Sequence, residues 1–164
     1  MILEDIINHC RNREFMSGVE RDQSRINNTA EVFTPLSLVN DMLNQLPQEV
    51  FMDETKTFMD NACGDGQFLS EILIRKISNG IDFEKALSTI FGVELMMDNV
   101  ILCRNRLLCG QEHLRHIVEK NIVCADALNY DYSFGGEPLL TKTQLFAINN
   151  PVQKKKAKKK PRKK

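Results

Sequence analysis

The sequence predicts an α/β architecture in which about four parallel strands alternate with helices that cover both faces of the sheet. Three observations predict it. Short apolar runs at residues 55–60, 89–94 and 121–126 each end in an acid, namely Asp60, Glu94 and Asp126. Between these runs, apolar residues recur at helical spacing. The first run is followed by Cys63-Gly64-Asp65-Gly66, a small glycine turn placed where a strand would pass into a helix N-terminus. Strands alternating with helices imply right-handed crossovers, and therefore strands that run parallel.

Taken in order, Ile2, Ile6 and Ile7 suggest a short N-terminal helix, and residues 11–28 are polar with little periodicity. Thr34 is a suitable N-cap and Pro35 a suitable first helical residue. Leu36, Val39, Met42, Leu43 and Leu46 then continue at helical spacing until Pro47. After the first strand, Phe68, Leu69, Ile72, Leu73 and Ile77 define one face of a helix over 67–77, with Asn79-Gly80 as its stop. Asp82 can cap a short helix over 83–88. A further helix is expected over 98–108, with Gly110 as its stop, and a fourth strand over 144–149 follows a turn-rich connection.

At 164 residues with 42% hydrophobic content, the chain suits one compact core. The expected organisation is an N-terminal segment (1–30), a ligand-binding domain (31–153) and a basic tail (154–164). Nine of the 22 basic side chains lie in that tail, from Lys154 onward, leaving 13 basic against 22 acidic side chains in residues 1–153. Such a block of like charge is expected to be disordered. It reads as a solvated tail, a nuclear localisation signal or a salt-sensitive nucleic-acid anchor.

Cys10, Cys63, Cys103, Cys109 and Cys124 form no CxxC pair and read as reduced thiols. His113 and His116 stand three apart without a Cys or acid at a ligand spacing, so no metal site is expected. The N-terminus carries acids where a signal peptide needs basic residues, and no apolar run approaches ~18 residues. A soluble cytoplasmic protein is expected, without membrane contact.

Ligands of open parallel sheets bind at the carboxyl ends of the strands, which is where Asp60, Glu94, Asp126 and Asn149-Asn150 fall. Gly64 and Gly66 permit close backbone approach, Glu94 can accept from both hydroxyls of a ribose, and Asp126 from an adenine amino group. That describes an adenosine pocket. A dinucleotide loop usually carries a third glycine where this chain has Leu69, whereas S-adenosylmethionine brings no phosphate and needs only the shorter turn. The methyl donor is the better fit.

These segments, in their order, resemble a known family. Glu31-Val32-Phe33-Thr34-Pro35, the stretch from Asp60 through Cys63-Gly64-Asp65-Gly66 to Leu69, Gly92-Val93-Glu94 and Asp126-Ala127-Leu128 look like the motifs of amino-methylating DNA adenine methyltransferases, of the class in type I modification subunits and fused restriction-modification enzymes. The resemblance spans roughly residues 28–151. It implies a three-layer Rossmann-like fold, incomplete here, and adenine-N6 methylation of DNA. By it, Phe33, Thr34 and Pro35 would line the methionine end of the cofactor. Asp60 with Cys63, Gly64 and Gly66 would hold its amino-acid and sulfonium portion, Glu94 its ribose and Asp126 its adenine. Asn150 and Pro151 would be the catalytic pair, accepting hydrogen bonds from the amino group of a flipped-out adenine.

Two departures from the family pattern bear on the reaction. The signature Asn/Asp-Pro-Pro-Tyr/Phe reads Asn150-Pro151-Val152-Gln153 here, without the second proline or the ring that stacks on the target base. Family members also continue into further strands and a recognition region, whereas this chain passes into its Lys-rich end, as expected of a truncated product or of one completed by a partner subunit. An open fourth strand calls for a cover, whether the tail, a second copy or another subunit. Plainer readings also exist: Thr34-Pro35 as a helix start, Asp60 and Asp126 as turn formers, Glu94 as a helix cap, Asn150-Pro151 as a turn opener. Alternatives at the level of function are a cofactor-binding pseudoenzyme and a methyltransferase for RNA or protein glutamine.

Overall fold

The computed structural model describes residues 2–12 and 34–137. Phe33, the fourth apolar run at 144–149, Asn150, Pro151 and the basic tail lie outside the described residues.

The described chain is α/β. Its strands β1 (Phe58–Asp60), β2 (Ile90–Glu94) and β3 (Ile122–Cys124) form one three-stranded sheet in the order β1-β2-β3, all parallel. Asp60 pairs in register with Gly92, and Glu94 with Cys124, so the acid-bearing ends share one edge. Helix α1 (Leu3–Asn12) opens the chain and α2 (Leu36–Leu43) precedes β1. The β1–β2 crossover carries α3 (Gln67–Ser78) and α4 (Phe83–Ser88), and the β2–β3 crossover carries α5 (Met97–Leu108) and α6 (Arg115–Asn121).

Side-chain alternation along the strands divides the core in two. Ile90, Ile122 and the half-buried Phe58 face the helices, packing with Leu69, Leu73, Leu107 and Val118 among others. Phe91, Val93 and Val123 face the other way, where Tyr132 and Phe134 cover them. Among the described residues no helix lies on this second face, so the expected second helical layer is not seen there. The covering strap bends sharply: Tyr132 and Phe134 both take positive φ, at 56° and 44°. The Tyr132 hydroxyl donates to the Ala127 carbonyl at 2.7 Å and the Tyr130 hydroxyl accepts from the Phe134 amide at 2.8 Å, which fixes that bend. On the helical side, α1 forms a further tier, with Ile6 and Cys10 buried against Ile74 of α3 and Cys109 beyond α5.

Several elements match their local signals closely. The Asp82 carboxylate accepts from the amides of Glu84 and Lys85 and starts α4 at Phe83. Helix α3 ends with Gly80 at φ 88°; Gly80 donates to the Ile77 carbonyl and Ile81 to that of Lys76, the paired bonds of a glycine C-cap.

Other boundaries move, each for a visible reason. Pro35 stands at the N-cap of α2 with ψ 143°, so Thr34 does not cap it and the helix begins at Leu36. The same helix stops at Leu43, because the approach to Pro47 turns into tighter bonds from Gln45 to Met42 and from Leu46 to Leu43. The first strand begins only at Phe58, since Asp53 accepts from both the amide and the hydroxyl of Thr55 and folds 53–56 into a turn. The buried Lys76 then holds that turn by donating to the carbonyls of Asp53 and Lys56. The third strand loses both ends, because Asn121 finishes α6 and Asp126 closes a turn of its own by accepting from the Leu128 amide. At the end of α5, Cys109 itself takes the left-handed conformation (φ 47°) and Gly110 follows at φ 76°.

All five cysteines are free. His113 and His116 are exposed, and the described residues contain no cluster of three or more His, Cys, Asp or Glu that could hold a metal ion. No helix among them is long and apolar enough to cross a membrane.

Candidate functional site

The loop between β1 and α3 is built into the sheet edge rather than resting on it. The Cys63 amide donates to the Val93 carbonyl at 3.1 Å, Gly66 to the Cys63 carbonyl at 2.8 Å, and Gly64 to Glu94 Oε2 at 3.0 Å. Glu94, at the end of β2, therefore clamps the loop directly. Its other oxygen accepts from the Met96 amide at 2.9 Å, with the amide group of the buried Asn99 at 3.5 Å. A carboxylate has about four acceptor positions, so acceptor capacity remains on the loop-facing oxygen.

Both loop glycines occupy left-handed conformations, for different spatial reasons. At Gly64 (φ 52°) an added Cβ would meet nothing within 4 Å, so the loop presents bare backbone to open space there. At Gly66 (φ 85°) the same atom would lie 2.7 Å from Cys103 Sγ, because the loop presses on α5. Gly66 also serves as the N-cap of α3, and its carbonyl accepts from the Ser70 amide. One side of the loop is thus shaped by packing and the other is left open.

Asp60 closes β1, half-buried, and accepts from the Ala62 amide at 3.0 Å. Burial, reinforced by the negative charge of Glu94, holds its carboxyl above the ordinary value near 3.8, against the pull of that hydrogen bond. Cys63 is different: a hydrogen bond to Cys103 and burial push its thiol up, so it stays neutral and is not a nucleophile. Next along the edge, the Ala125 amide donates to the Glu94 carbonyl at 2.9 Å, bringing the start of the Asp126 turn beside the end of β2. Asp126 is exposed, and its second oxygen accepts from the Asn129 side chain.

Of the residues singled out from sequence, Asp60, Cys63, Gly64, Gly66, Glu94 and Asp126 thus come together at one edge. Thr34 and Pro35 introduce α2, with Pro35 exposed, and no hydrogen bond ties them to the loop. Phe33, Asn150 and Pro151 lie outside the described residues.

Two features went unread in the sequence. Leu95, after Glu94 of β2, and Leu128, after Asp126 in the turn beyond β3, are each two-thirds exposed and offer apolar surface at the same edge. Their position directly after or two residues after a strand-end acid is the only signal, and it is weak. The second feature lies beneath the loop. Asp65, between the glycines, points inward to the buried guanidinium of Arg106, with an Nη1–Oδ1 distance of 3.1 Å and 1% exposure for each side chain. Nothing in the sequence links two residues so far apart.

No family model, curated protein or solved structure matches this chain.

Proposed function

We propose that this chain binds S-adenosylmethionine at the carboxyl edge of its sheet and belongs to the adenine-N6 type of DNA methyltransferases, on a Rossmann-like fold. The observation that carries the reading is Asp60. A carboxylate half-buried beside a second acid gains most from a cationic ligand, and S-adenosylmethionine presents both an ammonium and a sulfonium. Three further observations support it: the bare backbone at Gly64, Glu94 at the end of the next strand, and Asp126 with exposed Leu95 and Leu128 for a planar ring.

The cofactor supplies a methyl group made electrophilic by its sulfonium. The chain's own residues orient it: Asp60 opposes the positive charge, the loop fixes the backbone against which it lies, and Glu94 accepts from the ribose. By the family resemblance, Asn150 and the carbonyl of Pro151 would accept from the amino group of the target base, which would raise the nucleophilicity of its nitrogen and orient it toward the methyl group. DNA is the proposed substrate, with the tail from Lys154 as an added phosphate contact and a recognition or completing subunit as partner. The proposed compartment is the cytoplasm.

Calorimetric titration of the full chain with S-adenosylmethionine, followed by transfer of a labelled methyl group to DNA, RNA and protein, tests this. Saturable binding with label in DNA adenine is the expected result. Binding without transfer to any substrate makes the chain a non-catalytic binder, as the Val152-Gln153 departure would allow, and absence of binding removes the cofactor assignment altogether.

Two variants examine the pocket. Glu94→Ala should weaken S-adenosylmethionine binding by about 1–3 kcal/mol, and the ligand-free protein should lose stability as well, because Gly64 loses its acceptor. Unchanged affinity would remove Glu94 from the site.

Asp60→Asn should separate stability from binding. The folded carboxyl titrates above its ordinary value, so its contribution to stability is full below pH 3.8 and fades as pH rises through the raised value. At neutral pH the ionised group is a burden, and the asparagine variant should melt higher than wild type, the advantage vanishing in acid. Cofactor affinity should show the opposite sign. It should fall in wild type as acidification protonates Asp60, and in the variant it should be about tenfold lower and flat through that window. Equal affinities at pH 7 would exclude Asp60 as the counter-charge.

A further inference from the structure

Arg106 lies in the last turn of α5, fully inside the protein. Its guanidinium works on two sides. Nε and Nη2 both donate to the Cys10 carbonyl at 3.1 Å. Nη1 donates to the Asp65 carbonyl at 3.3 Å and to Asp65 Oδ1 at 3.1 Å, and Nη2 also donates to the side chain of Gln67. One planar fork therefore holds the final turn of α1 on one side, and the glycine loop with the first residue of α3 on the other.

The two sides differ in what they need. Cys10 lies in α1, and its carbonyl takes two bonds from the buried cation, which fixes that helix to Arg106. Asp65 sits between Gly64 and Gly66, the two left-handed residues that give the loop its shape. A buried guanidinium is tolerated only while its donors are filled. If α1 leaves, Nε and Nη2 lose the Cys10 carbonyl as an acceptor, which loosens the fork that also holds Asp65. Arginine suits this task because its five donors lie in one rigid plane, which a lysine ammonium does not reproduce.

Helix α1 is otherwise docked by contacts that do not reach the loop. Ile6 is buried against Ile74 and Cys109, His9 Nε2 lies 3.1 Å from the Asn105 carbonyl, and Arg11 pairs with the buried Glu71 through two bonds of 2.9 and 2.8 Å.

We infer that Arg106 is a positioning residue that couples the docking of α1 to the conformation of the glycine loop, so that the ligand of that loop binds the form with α1 in place. By linkage, the ligand in turn strengthens the docking of α1. The ligand arm of the following experiment rests on the S-adenosylmethionine reading above; the structural arm does not.

The test is hydrogen exchange of the full-length chain, with Ile6→Ala to loosen α1 at a distance from the loop, Arg106→Lys to remove the fork, and the double variant. In Ile6→Ala, amides of α1 and of residues 64–67 should both exchange about tenfold faster, while β2 and β3 keep their wild-type protection. In Arg106→Lys the loop should already be fast, and adding Ile6→Ala should accelerate α1 alone. An Arg106 with a purely structural role would let Ile6→Ala free α1 without altering the loop, and that result overturns the coupling. Should Arg106→Lys fail to fold, Ile6→Ala decides the question alone. In the ligand arm, S-adenosylmethionine should bind Ile6→Ala about tenfold more weakly than wild type and should slow exchange in α1 of wild type. Wild-type binding with equal affinity in Ile6→Ala overturns the link to the site. Absence of binding to wild type overturns the cofactor reading instead and leaves the exchange result standing.

Discussion

Arg106→Met is expected to destabilise the protein by about 3–5 kcal/mol, read as a lower midpoint of urea unfolding with an unchanged slope. The side chain it replaces is 1% exposed and so is its partner Asp65. Methionine fills much of the volume, so little of the loss comes from a cavity. The loss arises because the buried Asp65 side chain and the Cys10 and Asp65 carbonyls lose the hydrogen bonds that Arg106 donates to them. The same reasoning predicts strong non-additivity. Arg106→Met combined with Asp65→Asn should recover a large part of the loss, since a neutral amide no longer demands a counter-charge. A single-variant cost below about 1 kcal/mol would show that water replaces the guanidinium and that the buried pair is not a determinant of stability.

Gly66→Ala should cost about 2–5 kcal/mol from two separable sources. The left-handed backbone at φ 85° is unfavourable for any residue with a Cβ, by roughly 1–2 kcal/mol. The new methyl would also lie 2.7 Å from Cys103 Sγ and 3.4 Å from its Cα, a clash of the kind that costs about 1–3 kcal/mol in a packed interior. Adding Cys103→Ala removes the sulfur and should recover part of the packing loss while leaving the backbone strain, so the double variant should fall between Gly66→Ala and wild type. If Cys103→Ala restores nothing, the contact between the loop and α5 is not what requires glycine at this position. A Gly64→Ala control isolates the backbone contribution, because its Cβ would meet no atom within 4 Å.

These two variants mark the limit of what the sequence discloses. Signals carried by neighbouring residues were legible. Asp82 caps α4 because an N-cap acts over two or three residues, and Gly80 ends α3 because a left-handed C-cap needs only the preceding turn. The three acids were legible for the same reason, each lying at the end of a short apolar run. The errors at element ends were also local, yet they depended on competition between local choices. Thr34 was outdone by Pro35 as the boundary of α2, and the side chains of Asp53 and Asp126 took backbone amides that a longer strand would otherwise have paired.

Asp65 illustrates the opposite case. In the sequence it is one residue of a small glycine turn, and in the fold it is buried against Arg106, 41 residues later, which reaches it from α5. The link continues to Cys10, 96 residues before Arg106, and so ties a helix that seemed a separate N-terminal segment to the loop at the sheet edge. Glu94 likewise reads as a strand-end acid, while only the fold shows that it clamps Gly64.

The sequence by itself determined the alternation of strands and helices, the parallel sense of the sheet and the placing of Asp60 and Glu94 at strand ends, with Asp126 just beyond the third strand, because hydrophobic period and turn chemistry act over a few residues. Tertiary structure alone decided which face of the sheet the helices cover, that burial beside Glu94 raises the Asp60 carboxyl above its ordinary value, and that Arg106 joins α1 to the loop. Those properties arise from burial and from charges brought together across long stretches of chain, and no local pattern encodes them.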